Sequence, residues 1–223
     1  MRLLVLFLYC LLAFETLKSF NYTDALSVVC RDICAKTPIF QHYNLDYVGF
    51  SFKNVRNAKS TGVLATLTSL RFEGGGLATF HRKAFWKAPN VVDSKGRKLL
   101  YILTVCGSRF LNLPVKEKIH TLTHELYHIA PEFNGDIRRF SGKKYQHGSS
   151  LKNFNAVVAK YADAWLAREP EREIWAFLEL NQEELIRRYQ KVKFTKFPRV
   201  KLIKIAREEA LRLNPALAEL PST

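Results

Sequence analysis

The chain has 223 residues, 48% of them hydrophobic and 13% aromatic. That excludes a disordered or collagen-like polymer and suffices for one compact domain with appendages. Lys and Arg total 35 against 20 Asp and Glu, a formal net charge of +15, so the composition points to an anionic partner: nucleic acid, a negatively charged membrane surface or an acidic protein.

The chain opens on an apolar run, Leu3 to Phe14, LLVLFLYCLLAF. It is shorter than the ~20 residues that a helix needs to cross a bilayer, so no transmembrane span is expected. Its length suits a signal-peptide core, but one positive charge precedes it and no A-x-A site follows. The expected reading is a cytoplasmic protein whose residues 1–19 are a buried extra helix or an upstream extension, with export through that segment as the alternative. The sequon Asn21-Tyr22-Thr23 matters only under export into a eukaryotic secretory path.

Residues 21–36 read as a helix capped by Thr23, with Leu26, Val29, Cys30, Ile33 and Cys34 on one apolar stripe. The four cysteines (Cys10, Cys30, Cys34 and Cys106) fit no disulfide scaffold, which favours a reducing compartment. Alternation marks strands at 46–55, 62–72, 77–88 and 98–106, the last being the most apolar and therefore central. They suggest one small sheet of about four strands.

After Pro114 the pattern turns helical. Helices are expected over 115–130, 149–168 and 171–190, with a glycine-containing loop over 131–148. Residues 191–205 return to alternation broken by Pro198, and a short helix follows over 206–213. The fold class is α+β: a mixed or antiparallel sheet packed on the 115–130 helix and the helices after it.

That helix carries His124-Glu125-Leu126-Tyr127-His128, an H-E-x-x-H. Two His four apart lie on one helical face and can converge on one Zn2+ at ~2.0–2.1 Å. Glu125, beside the first ligand, is placed to take a proton from a metal-bound water. A catalytic site needs a third protein ligand and an open position. His147 is the best candidate, because the loop before it can fold back on the helix. Asp136 is a rival for that role, or an outer partner fixing an imidazole, and Glu132 is a weaker rival. His120 shares the face of His124, but three successive turns span ~12 Å, too far for all three to hold one ion. It reads as a core or outer-shell residue. Tyr145 and Tyr161 are candidate hydrogen-bond donors to an oxyanion.

HELYHIAPEFNGDIRRF resembles the signature of the phage-type metallopeptidase group, in which HELYHI is followed by PEF-x-GDIRRF. The resemblance runs from about Phe20 to Ile205 and includes FEGG and the LYILT strand. More broadly the chain is similar to SprT-like minimal zincins, with His147-Gly148 as the element opening the next helix. Leu151 stands where the SprT pattern has an aromatic, Phe154 comes later, and the SprT cysteine cluster is absent. The resemblance implies a zincin-like metallopeptidase domain over 20–190 with a basic extension over 191–223. It implies zinc at His124, His128 and His147, Glu125 as the base, and a peptide or protein substrate. An extended substrate would add to an edge strand, 77–88 or 98–106.

The positive charge is concentrated. Residues 185–207 hold nine Lys or Arg and residues 137–162 hold six, neither stretch with an acid. With Tyr189, Phe194 and Phe197 interleaved, such a surface could grip a nucleic-acid backbone and stack bases. The alternative to a peptidase is therefore a nucleic-acid-binding protein on a zincin-like scaffold.

Overall fold

The computed structural model describes residues 19–55, 62–142 and 145–219. The apolar run Leu3 to Phe14, with Cys10, lies outside the described residues, as do Lys143 and Lys144 of the second basic stretch. Among the described residues no helix is long and apolar enough to cross a membrane.

In chain order, β1 (Phe20–Asn21) leads into α1 (Tyr22–Lys36), followed by β2 (Val48–Lys53), β3 (Ala65–Ser69), β4 (Ala78–His81), β5 (Ala84–Lys87) and β6 (Tyr101–Cys106). Then come α2 (Gly107–Leu111), α3 (Val115–Tyr127), α4 (Leu151–Leu166), α5 (Arg172–Trp175) and α6 (Gln182–Arg188). The chain returns through β7 (Val192–Lys193) and β8 (Ile203–Ile205) to α7 (Arg207–Leu213). Among the described residues, the mixture of seven α-helices and small sheets is compatible with the expected α+β class.

The strands do not form one four-stranded sheet. The central sheet has the order β2-β6-β3, with β2 parallel and β3 antiparallel to β6, so the LYILT strand is central as its apolar character requires. A separate three-stranded sheet has the order β4-β5-β8, and β1 pairs with β7. Residues 77–88 are not one strand but a hairpin. Its two-residue turn, Arg82-Lys83, takes left-handed φ values of 49° and 61°, a conformation normally signalled by Asn or Gly, so a cationic pair hides it.

Strand pleat divides the interior. Tyr101, Leu103 and Val105 of β6 face the main core with Leu26 and Ile33 of α1, Leu122 and Leu126 of α3, and Trp165 of α4. Ile102 points the other way, into a thinner cluster with Leu70, Leu99 and Phe197. Cys30 and Cys34 are buried and free, and burial raises both thiol pKa values. The cap of α1 is Asn21 rather than Thr23. The Asn21 side chain accepts from the Asp24 N–H at 3.3 Å, while the Thr23 hydroxyl donates to Asn21 Oδ1 and accepts from the Thr195 N–H at 2.9 Å. A tertiary tie thus takes the hydroxyl that the sequence offers as a cap.

Residues 171–190 are not a continuous helix. A 3-10 turn over Ala176–Glu179 interrupts them, and Asn181 starts α6 afresh through a capping box with Glu184. Lys118 of α3 holds this segment down. Its side chain is fully buried, and Nζ donates to the carbonyls of Leu178 at 2.7 Å and Leu180 at 2.9 Å. Lys118→Ala strands both carbonyls and opens a cavity, so a loss of about 3 kcal/mol in urea unfolding is expected. A change below about 1 kcal/mol would show that the anchor is dispensable.

The aromatics of the basic strap are turned inward. Tyr189 stacks on Phe20 at 4.3 Å, Phe194 stacks on Phe52 at 4.0 Å, and Phe197 packs against the Leu70, Leu99 and Ile102 cluster. They secure the strap to the body, Tyr189 buried and the two phenylalanines half-buried. Lys191, Lys193, Lys196 and Arg199 remain outside and exposed.

Candidate metal centre

Helix α3 presents Glu125 to the interior and His124 to one side, and ends at His128, its C-cap residue. Terminal carbonyls of such a helix need partners. The returning loop supplies them: the Arg138 N–H donates to the His128 carbonyl at 2.7 Å, and Arg138 Nε to the Tyr127 carbonyl at 2.7 Å. The return depends on the Asn134-Gly135 turn. Gly135 has φ +92°, and a Cβ there would lie 2.4 Å from the Arg71 side chain. The clamp thus fixes the backbone of His128.

The loop then delivers His147, and Gly148 at φ +67° turns the chain into α4, capped by Ser150. The ring of His147 lies 5.5 Å from that of His124 and 4.8 Å from that of His128, centroid to centroid. Nε2 of His124 and Nε2 of His128 are 3.0 Å apart. One ring nitrogen from each of the three His lies within 4.8 Å of the others, close enough to hold a metal ion. Phe154 floors the group, its ring 4.9 Å from each imidazole. It does so from one turn beyond Leu151, which is exposed.

The electrostatics suit ligation. Burial first, then the neighbouring His147, lowers the His124 pKa to about 4. Burial, then His124, His147 and Arg138, lowers that of His128 to about 3. Both imidazoles are neutral at pH 7 and able to donate lone pairs. The Glu125 carboxyl is 6% exposed. Burial pushes its pKa up to about 7, against a hydrogen bond from the backbone N–H of Leu67.

The metal-free protein should therefore be acid-sensitive. The unfolded chain protonates both imidazoles as pH falls through 6.5 and the folded chain does not. Their contribution to stability is full above 6.5 and is lost on acidification towards 4 and 3. Glu125 opposes this, because its contribution is full below 4.5 and is lost as pH rises through about 7. Between 4.5 and 6.5 the unfolded chain carries one net extra proton. Stability should then fall by on the order of 1 kcal/mol per pH unit on acidification. Glu125→Gln removes the opposing proton and should roughly double that slope. Urea midpoints across this window check the sign, and equal slopes in the two proteins would contradict it.

The other candidates lie elsewhere. Asp136 is buried, and its carboxylate accepts from Arg139 Nε at 2.8 Å, Arg139 Nη2 at 3.0 Å and the N–H groups of Gly74 and Ile137. It braces the loop. Tyr145 is 42% exposed beneath the Arg139 guanidinium. His120 bonds Asp163 at 2.9 Å on the outer side of α3. Glu132 is exposed, and Tyr161 packs between Phe40 and Tyr127.

Two groups at the site have no motif to announce them. The Asn155 side chain hydrogen-bonds the His124 imidazole, the kind of outer partner that orients a ligand ring. Its only sequence signal is an amide inside a helix, where propensity disfavours it. The second is the backbone of β3. Residues 98–106 contain the central strand and 77–88 lie in another sheet, so neither borders the site with a free edge. The edge that does is β3, whose Leu67 N–H reaches Glu125. A cleft of about 250 Å³, lined by Tyr127, Phe140, His147, Asn153, Phe154 and Val157, opens beside the third imidazole.

No family model, curated protein or solved structure matches the chain.

Proposed function

We propose that the chain is a zinc-dependent peptidase of the H-E-x-x-H type, with His124, His128 and His147 as the metal ligands and Glu125 as the proton carrier. The supporting observation is the donor set itself: three imidazoles within 4.8 Å and no fourth His, Cys, Asp or Glu in the group among the described residues. Structural zinc sites close four protein ligands, whereas catalytic ones keep three and leave a position to water. Three imidazoles over an apolar floor fit zinc, and an ion held there would lower the pKa of its water to about 7 and polarise a carbonyl.

The chain's own residues do the rest. Glu125, pushed up to about 7 by burial, can accept a proton from the attacking water and return it to the leaving amine near neutral pH. The free edge of β3 can align an extended peptide by main-chain hydrogen bonds. The cleft beside His147 can take one apolar side chain of that peptide, because Phe140, Phe154 and Val157 wall it. Asn155 can orient the His124 ring, and the Arg138 clamp holds the backbone that carries His128.

Incubating the zinc-loaded full chain with an unfolded protein such as reduced casein tests this. Cleavage should stop on chelation and return when zinc is restored. Cleavage indifferent to chelator, or no cleavage of any unfolded substrate by the loaded chain, would overturn the reading.

A further inference from the structure

The sheet β4-β5-β8 is separate from the central sheet, and one of its faces is partly covered. Pleat and register put Ala78, Phe80, Phe85, Lys87, Ile203 and Ile205 on that face. Helix α7 packs there, with Lys87 paired to Glu209 and Asn214 Nδ2 donating to the Ala78 carbonyl at 3.0 Å. The opposite face carries Trp86 on the central strand, with Thr79 and Lys204 as its cross-strand neighbours. The indole N–H donates to the His81 carbonyl at 3.1 Å. That pins one edge of the ring and leaves it half-buried on the face.

Cations share this hairpin and its neighbouring strand. Lys204 is the cross-strand neighbour of Trp86, and Arg82 and Lys83 form the hairpin tip, all three exposed. No carboxylate pairs with any of them among the described residues. The tip holds two cations in left-handed conformations, φ 49° and 61°, which disfavour such side chains by about 1–2 kcal/mol each. A neutral Asn-Gly pair would turn the chain without that strain. Unpaired cations alone would suit any polyanion. A fixed indole on the same sheet selects a polyanion that carries flat rings.

We infer that this face binds single-stranded nucleic acid, Trp86 stacking on a base while Arg82, Lys83 and Lys204 engage phosphates. The inference stands apart from the peptidase reading and needs no metal. The face is also coupled to the metal-site loop, because β4 follows directly on the 73–76 turn, whose Gly74 N–H donates to Asp136 Oδ2 at 3.1 Å. A strand held there lies on an element tied to the loop that clamps His128.

The test uses the metal-free full chain and a fluorescein-labelled oligothymidylate of about twenty nucleotides, long enough for one such site. Anisotropy gives affinity across a salt series, and indole emission reports the stack. Binding should quench tryptophan emission, and Trp86→Phe should keep most of the affinity while abolishing that quench. Trp86→Ala should weaken binding by about tenfold or more. Arg82→Glu with Lys204→Glu should weaken it further and reduce the salt slope by about 1.4, or about 0.7 per contact. Lys191→Glu with Lys193→Glu, the same charge change outside this sheet, should do distinctly less. If Trp86→Ala fails to fold, the Phe variant and the two charge pairs still decide. Unchanged affinity in Trp86→Ala, undiminished quenching in Trp86→Phe, equal losses in the two charge pairs, or equal competition by polyglutamate would each overturn the inference.

Discussion

Glu125→Gln should lower peptide turnover by about a thousandfold while zinc content stays at the wild-type level, within the range that a general acid-base group contributes. The carboxamide has the volume of the carboxylate and still offers an acceptor to the Leu67 N–H, so the packing of α3 against β3 is preserved. What it cannot do is take a proton from water. Glu125 is outside the group of close imidazoles, so its loss removes no ligand. A thousandfold loss corresponds to roughly 4 kcal/mol of barrier, too large for a bystander on the helix. Steady-state cleavage of a quenched-fluorescence peptide measures it, and KM should move little. A variant as fast as wild type would remove Glu125 from the reaction.

His147→Ala should weaken zinc binding by more than the ten- to hundredfold that losing an outer partner costs, about a thousandfold. Two ligands on one helix turn hold an ion in reach of solvent, and the third, from a loop, completes the coordination. Phe154, which is 4% exposed, stays buried in the variant and keeps the apolar floor. The loss should therefore fall on affinity and activity rather than on the fold. Competition with a chromophoric chelator reads the affinity, and urea unfolding of the metal-free variant should match that of metal-free wild type. Equal zinc affinity in the variant would place the third donor elsewhere.

Much of the site is local, and what is local is legible. The i, i+4 spacing of His124 and His128 and the apolar Leu122, Leu126 and Ile129 fix a helix with two imidazoles on one side. The central place of the LYILT strand follows from its predominantly apolar character. Long-range pairing is not legible in this way. β8 joins β5 across more than a hundred residues of chain, and no periodicity records that partnership. The free edge next to Glu125 therefore belongs to β3 rather than to 77–88 or 98–106, the strands just before the helix. The hairpin at 82–83 is hidden because cations occupy a turn that usually advertises itself with glycine. The break at Asn181 was open to reading, since Asn-x-x-Glu is a capping box, but the helical stripe runs through it.

The strap shows a different limit. Composition placed Tyr189, Phe194 and Phe197 among cations, and charge with aromatics suggests stacking surfaces. In the structure each of these rings packs on an apolar partner in the body. Trp86, far from the charge run in sequence, is the aromatic that pairs across strands with an exposed lysine of that run, Lys204.

X-ray absorption at the zinc edge, on the full chain loaded with one equivalent of metal, addresses the ligand set directly. Three imidazole nitrogens and one oxygen at about 2.0–2.1 Å are expected, with one imidazole fewer in His147→Ala. A wild-type spectrum showing sulfur or four imidazoles, or one unchanged by the substitution, would contradict a three-histidine centre with an open position.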